Sequence, residues 1–175
     1  MATSTELIKV LREATGAGVM DCKRALGESE NDLEKAKTLL RRWGAEGAAK
    51  KAGRETREGT VASYIHSNNG VGRVGALLEL NCETDFVART DQFKHLAHRI
   101  AQHIVAAGPE YVSEEDVPSD LDAESRQQAV RDRVLLTQRF QATNQTINDL
   151  LKEAIGTLGE NIKVGRFSRY VLGGE

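Results

Sequence analysis

The sequence is poor in residues that mark all-β proteins. Only two prolines, Pro109 and Pro118, occur in 175 residues, and aromatic residues make up just 5%. Because aromatic side chains are enriched in strands, this scarcity argues against a β-sandwich and favours helices packed with Leu, Ile, Val and Ala. Hydrophobic residues at 39% and charged residues at 29% are typical of a soluble globular protein rather than a disordered chain.

Cysteine is also rare, and no segment is apolar enough for a membrane. Cys22 and Cys82 lie too far apart in the sequence to form a metal-ligand pair. The first residues, MATSTELIKVLREATG, contain no apolar signal core, and no run approaches about 18 apolar residues. The sequence therefore predicts a cytoplasmic protein that does not contact a membrane.

Charge of neither sign is in large excess. The net charge is −2 and the pI is about 6.1, whereas a protein that holds nucleic acid by its phosphates carries a basic excess on one face. Residues 110–134 lean negative and residues 41–57 lean positive. The cations of the second stretch are Arg41, Arg42, Lys50, Lys51, Arg54 and Arg57. Interpreted as two solvated faces, this mixture favours a protein partner over direct contact with nucleic acid.

Residues 4–44 predict three short helices from the spacing of their apolar side chains. Two glycines in residues 15–18 separate the first helix from the second. Asn31 or Asp32 begins the third helix, and Gly44 stands where its C-cap is expected. About forty residues make a core near the lower limit for independent folding. A module of this size serves more often as a docking surface than as a catalytic site.

Residues 45–59 predict a solvated helical linker. After them, apolar residues recur at every second position, as in a strand. Residues 61–67 alternate as in a strand, NNG at residues 68–70 predicts a hairpin turn, and residues 71–81 continue as a longer strand. Residues 163–172 alternate in the same way. Three antiparallel strands are therefore expected.

Helices are predicted to pack on these strands. One spans about residues 91–107 with a single apolar face, residues 122–140 are helical by propensity, and Thr146 caps a helix that runs to Leu158. The predicted fold class is α+β, with a three-helix module followed by a three-stranded antiparallel sheet packed by helices. The predicted segments are the module, the linker and the larger domain, at residues 1–44, 45–59 and 60–175.

Candidate catalytic residues are few. Cys82 lies at the end of the long predicted strand and, with His66, has the residue types of a nucleophile and a base. No family signature surrounds either residue, and an isolated cysteine in an apolar strand is usually a small core side chain. Gly70, Gly72 and Gly75 form no phosphate loop, because no GK[ST] follows them. The sequence therefore predicts no enzymatic reaction.

Three histidines, His95, His98 and His103, fall on one predicted helix. The first two could meet on one helix face, but no HExxH pattern accompanies them. Surface or half-buried histidines are the preferred interpretation, so no metal site or cofactor is predicted. The sequence assigns these histidines no role.

Two segments are distinctive. They are residues 11–26, LREATGAGVMDCKRAL, and residues 80–89, LNCETDFVAR. In order and separation they resemble the two signature motifs of the elongation factor Ts family in its short bacterial form. The resemblance continues through AKKA at residues 49–52 and GENIKVGR at residues 159–166. It covers most of the chain, and motifs of this length do not match by chance.

The resemblance implies a fold and a function. The N-terminal helices are expected to form a ubiquitin-associated-like module. The protein is expected to bind GDP-bound elongation factor Tu and to promote GDP release by disturbing its magnesium and phosphate site. In the family an Asp-Phe pair, here Asp85 and Phe86, enters the GTPase near its magnesium and switch region, while the N-terminal module grips the nucleotide domain. The implied contact residues are Thr84, Asp85, Phe86 and Val87 in one group and Arg12, Val19 and Met20 in the other.

The residues after the long strand agree with this implication. Thr84 ends the strand and can cap the next turn, so that Asp85 and Phe86 would project from a rigid sheet edge. From the residues alone, Phe86 is more simply explained as a core side chain, since most phenylalanines are buried. The resemblance favours the projecting position.

The second half of the chain departs from the family's pattern. The helical segment ahead of TQRF at residues 137–140 is shorter than in other short members, and Arg139 stands where proline is usual. Short members of the family tend to act as dimers, which favours a homodimer here.

Two alternatives from other classes remain. A ubiquitin-associated-like adaptor would use residues 4–44 and would not need Asp85 or Phe86. An RNA-binding protein would use the cations at residues 50–57, and its affinity for RNA would fall steeply with salt.

Overall fold

The computed structural model describes residues 5–140 and 144–174. Within these residues it contains seven α-helices and three β-strands. In chain order they are α1 (Thr5–Thr15), α2 (Val19–Glu28), α3 (Leu33–Lys51), β1 (Glu58–Asn68), β2 (Val71–Cys82), α4 (Asp85–Ala88), α5 (Asp91–Ala107), α6 (Ala123–Arg133), α7 (Ile147–Leu158) and β3 (Lys163–Val171). Single turns of 3-10 helix lie at Glu114–Asp116 and Leu135–Thr137. The predicted α+β class is confirmed.

The chain divides into two compact units. The first consists of the residues up to 53 and Lys152–Glu160, and the second of Arg54–Leu151 and the residues from Asn161 onward. The three segments proposed from the sequence stay a prediction, because compactness alone does not decide which segments fold independently.

Fully buried side chains from three helices form the core of the first unit. They are Leu11 of α1, Cys22, Ala25 and Leu26 of α2, and Ala36 of α3. Asp32, one of the two predicted caps, begins α3, and its carboxylate accepts the N–H groups of Glu34 and Lys35, both at 3.0 Å. The predicted order of three helices is confirmed.

The third helix does not end at Gly44, so that prediction was wrong. α3 continues to Lys51, and Gly44 is buried inside it. A Cβ atom on Gly156 of α7 would lie 2.7 Å from the Cα atom of Gly44, so the two backbones meet where no side chain fits. Gly44 therefore serves close helix packing. Residues 45–51, predicted as part of a linker, belong to this helix.

The second unit is built on an antiparallel sheet with the strand order β1-β2-β3. The turn between the first two strands has φ values of 50° at Asn69 and 78° at Gly70. Positive φ at both central residues is the type I′ geometry that matches the twist of a hairpin. α5 packs against β1 and β2, where Leu78 and Leu80 of the central strand and Ile100 of the helix are fully buried. The predicted hairpin and three-stranded sheet are confirmed.

Only the first part of the helix predicted at residues 122–140 forms. α6 ends at Arg133. Beyond it the α-helical bonding stops: the Leu135 N–H donates to the Tyr111 carbonyl at 2.9 Å, and Leu135–Thr137 form only a single 3-10 turn. Leu135 and Phe140 are fully buried. The helix prediction for residues 134–140 was therefore wrong except at Leu135–Thr137, because tertiary burial outweighs helix propensity there.

Candidate functional site

The 84–87 turn (Thr84, Asp85, Phe86 and Val87) directly follows the central strand. Thr84 is extended, with φ −130° and ψ 155°, and its Oγ1 accepts the Val87 N–H at 3.4 Å. This side chain caps the single-turn helix α4. The predicted cap is confirmed, and it fixes the course of the chain as it leaves β2.

Phe86 is an exposed aromatic side chain, with 80% of its surface accessible. Its explanation as a core residue was therefore wrong. Beside it, Asp85 forms an exposed ion pair with Arg89, with 2.9 Å between Oδ2 and Nη2. The tip of the turn presents an apolar ring next to a carboxylate, and an exposed large apolar group of this kind is typical of a contact surface.

The ends of the turn are anchored although its tip is open. The thiol of the buried Cys82 donates to the Thr84 carbonyl, with 3.2 Å between sulfur and oxygen. On the other side, Thr90 Oγ1 donates to the Val87 carbonyl at 2.8 Å and accepts the N–H of the fully buried Phe93 at 3.2 Å. These bonds attach the turn to β2 on one side and to α5 on the other.

A carboxylate just before the turn joins it to the approach to β3. Glu83 Oε1 accepts the Asn161 N–H at 2.7 Å and lies 3.4 Å from Nη1 of Arg54. Asn161 Nδ2 in turn donates to the Arg54 carbonyl at 2.8 Å. Three distant parts of the sequence thus form one polar cluster (Arg54, Glu83 and Asn161) in the second unit.

The N-terminal surface (Arg12, Val19 and Met20) lies in the first unit, where α1 is followed by α2. Arg12 and Val19 line a shallow groove of about 440 Å³ together with Thr5, Ile8, Lys9 and Glu13. Met20 follows Val19 and is 73% exposed, while the buried residues of α2 begin at Cys22. An open groove beside a flexible thioether is suited to contact with a protein.

Known proteins match this chain over nearly its full length. The family model described as Elongation factor TS matches residues 48–133 and 83–174. An elongation factor Ts of Fervidobacterium nodosum is 46% identical over 199 aligned positions, covering 99% of this chain and 100% of the relative. Those of Thermotoga neapolitana and Leptospira biflexa are 45% and 48% identical, covering 100% and 99% of this chain and 100% of each relative. The chain belongs to the elongation factor Ts family.

Membership of the elongation factor Ts family implies the role of a translation elongation factor. The alignment with the Fervidobacterium relative is 199 positions long, whereas this chain has 175 residues, so the relative contains positions that this chain lacks. Within the part of the chain that the structure describes, no helix combines the length and hydropathy needed to cross a bilayer.

The contact residues implied by the family resemblance fall in two groups. The turn brings Asp85 and Phe86 together in the second unit, and one groove brings Arg12 and Val19 together in the first. The polar cluster around Glu83 was not predicted. Its members Glu83 and Asn161 both lie inside segments that carry the resemblance, but no pattern in the sequence indicates that those segments touch.

The nucleophile-and-base alternative is not supported by the sheet register. Cys82 pairs with Glu58 at one end of the hairpin, whereas His66 pairs with Val74 near the other. Cys82 is also fully buried and donates its hydrogen to a carbonyl. The two residues therefore lie far apart along the sheet.

The histidines of α5 have separate environments. His98 packs edge-on against Tyr64 with 5.6 Å between ring centres, and His103 is buried with Nε2 3.0 Å from Gln138 Oε1. Burial lowers the pKa of His103, an effect that the bond to Gln138 only partly opposes. Among residues 5–140 and 144–174, no group of three His, Cys, Asp or Glu side chains is arranged to hold a metal ion.

Proposed function

We propose that this chain is a guanine-nucleotide exchange factor that binds GDP-bound elongation factor Tu and promotes GDP release during translation elongation. It acts without covalent chemistry of its own. The observation that carries the proposal is the 80% exposure of Phe86 on a turn with two anchored ends. Family membership supports the same role.

The 84–87 turn is proposed to enter the GTPase near its magnesium ion and switch region. Magnesium bridges nucleotide phosphates to protein and demands near-ideal octahedral geometry, so a small displacement of its surroundings weakens the hold on GDP. Phe86 supplies apolar area for a pocket. Asp85 brings a negative charge, which repels phosphate oxygens.

Exchange of this kind is a coupling between two ligands of one GTPase. The factor and GDP weaken each other's binding by the same ratio. An acceleration of about ten-thousandfold needs about 5.5 kcal/mol of interaction that forms as the nucleotide leaves. Burial of one phenylalanine side chain supplies about 1.5–3 kcal/mol. The N-terminal surface must therefore contribute as well.

Release of a fluorescent GDP from elongation factor Tu tests the proposal. The wild-type chain is compared with the Asp85→Ala/Phe86→Ala variant and with Leu121→Ala, a truncation of an exposed leucine outside both surfaces. We expect fast release with the wild type and the control, and a loss of more than about tenfold with the double variant. If the wild type binds the GTPase and leaves the release rate unchanged, an adaptor function replaces exchange.

A protein partner is favoured over RNA because the basic stretch is partly neutralised. Three of its six cations are paired with carboxylates: Arg42 with Glu46 at 3.8 Å, Arg54 with Glu83 at 3.4 Å, and Arg57 with Glu55 at 2.9 Å. A titration with RNA between about 50 and 200 mM salt checks this preference. Tight binding that weakens steeply with salt would support the RNA-binding alternative.

We also propose a homodimer through the outer sheet face, which is the face that α5 leaves open. Its exposed apolar residues are Val61 and Ile65 of β1, Leu77 of β2, and Tyr170 and Leu172 at the end of β3. The register sets Ile65, Gly75 and Tyr170 in one row across the three strands. A monomer seldom exposes a continuous apolar patch, and a two-fold axis would cover this patch with its own copy.

Sedimentation analysis tests the homodimer. We expect the wild type to sediment as a dimer and Ile65→Glu/Tyr170→Glu as a monomer, since buried unpaired carboxylates oppose association. Leu121→Glu, which adds a charge elsewhere, is the matched control. A wild-type chain that stays monomeric at its highest soluble concentration would exclude this interface.

A further inference from the structure

Glu83 connects the 84–87 turn to a segment far away in the sequence. Its Oε1 accepts the Asn161 N–H at 2.7 Å, across 78 positions of the chain. Asn161 Nδ2 donates to the Arg54 carbonyl at 2.8 Å, across 107 positions. A single side chain therefore ties the residue before the turn to the approach to β3 and, through Asn161, to the approach to β1.

The environment of this bond makes it strong. Asn161 is 1% exposed and the Glu83 side chain 22% exposed, so little water competes for either group. A short hydrogen bond from an N–H to a carboxylate is about twice as strong as a neutral one. Arg54 adds a longer contact, with 3.4 Å between Nη1 and Oε1, from a side chain that is 53% exposed. Of these two contacts the bond to Asn161 is the stronger, because exposed ion pairs contribute little.

Other bonds also hold the turn, within it and at both of its ends. At its tip, Asp85 forms an exposed ion pair with Arg89, and Phe86 is 80% exposed. The cap from Thr84 to Val87 holds the turn's own shape, and the bonds of Cys82 and Thr90 hold its two ends. The bond between Glu83 and Asn161 adds a constraint immediately before Thr84, to a third segment of the chain.

We propose that Glu83 is a positioning residue for nucleotide exchange, one that aims the 84–87 turn without touching the GTPase. This inference rests on the proposed exchange function. A tip held in its bound direction loses less conformational entropy on insertion than a free one. A misplacement of about 1 Å at a reacting site can lower a rate by about a hundredfold.

Substitutions at Glu83 separate its hydrogen bond from its charge. Glu83→Gln keeps an oxygen acceptor on a side chain of the same length. Glu83→Asp keeps the carboxylate but shortens the side chain by one methylene group. Glu83→Ala removes both, and Arg54→Ala removes only the ion pair. With saturating factor, we expect GDP release by Glu83→Gln and Arg54→Ala to stay within about threefold of the wild type, and release by Glu83→Asp and Glu83→Ala to fall about tenfold or more.

Amide hydrogen exchange on the free protein gives a second readout that does not depend on the GTPase. We expect faster exchange at the Asn161 and Val87 amides in Glu83→Asp and Glu83→Ala, with the amides of α5 unchanged. If Glu83 had only a structural role, its loss would instead accelerate amide hydrogen exchange throughout the second unit. The rate of GDP release at saturating factor would then stay unchanged for the folded protein.

Each outcome decides the inference. Unchanged release by folded Glu83→Asp and Glu83→Ala would overturn it, as would unchanged exchange at Val87. If the wild type itself releases no GDP, the exchange function fails separately, and the Val87 amide alone then shows whether Glu83 orders the turn.

Discussion

Gly44 and Gly156 face each other at a helix crossing where a Cβ atom on Gly156 would lie 2.7 Å from the Gly44 Cα atom. The obstacle is backbone, which cannot turn aside as a side chain can. We expect Gly156→Ala to lower the free energy of unfolding by about 1–3 kcal/mol. Gly27→Ala is the matched control, because that helical position is open and alanine should add about 0.4–1 kcal/mol there. Denaturant unfolding measures the stability of both variants. Equal stability would contradict the close approach of the two helix backbones at Gly44 and Gly156.

Thr84 is expected to matter for exchange more than for global stability. Thr84→Ala removes the oxygen that accepts the Val87 N–H, and loss of such a cap costs about 0.5–2 kcal/mol. Because α4 has only four residues, the loss of its cap should change the melting temperature of the protein little. It should nevertheless slow GDP release by about three- to tenfold. Thr84→Ser keeps the hydroxyl and should release GDP like the wild type. A serine variant as slow as the alanine variant would show that the cap is not the cause.

His103 should make the protein less stable in mild acid. Because burial lowers its pKa in the folded state, the unfolded state binds the proton more readily below about pH 6.5. The free energy of unfolding should therefore fall as the pH drops through this range, by at most about 1.4 kcal/mol per pH unit for one proton. His103→Gln should flatten this part of the curve. A wild-type curve that is level between about pH 5 and 6.5 would contradict the assignment.

The two cysteines should be inert in the folded protein. Cys22 and Cys82 are fully buried, which limits access to both thiols. Burial also raises the pKa of the Cys22 thiol, so little Cys22 thiolate is present at neutral pH. We expect iodoacetamide to label neither residue at the rate of a free thiol until the protein is unfolded in guanidinium, as followed by mass spectrometry. Rapid labelling of the native protein would show that the units open around these residues.

Local signals in the sequence predicted much of the fold. The periodic apolar face of α5 gave its bounds, Asp91–Ala107, and the turn residues Asn69 and Gly70 gave the hairpin. The position of Thr84 at the end of the predicted strand likewise predicted its cap. Each of these features depends on neighbours within a few positions, which the sequence shows directly.

Features that depend on distant partners were missed or misread. Gly44 resembles a helix stop, and only its approach to Gly156 shows that it belongs inside a helix. The bond between Glu83 and Asn161 has no local signal at all. For Phe86, the residues alone favoured burial, and the family resemblance indicated the exposed position that the structure contains.

The distance along the chain between Glu83 and Asn161 has a consequence for protein synthesis. At about 5–20 residues per second, the 78 positions between them take a ribosome about 4–16 s to add. The β1–β2 hairpin has its partners close in sequence and pairs within microseconds. Each new molecule therefore carries an exposed turn for several seconds before Asn161, the hydrogen-bond partner of Glu83, has been added. On the proposed exchange function, a new molecule becomes competent late in translation, after the approach to β3 has left the ribosome and Asn161 has bonded to Glu83.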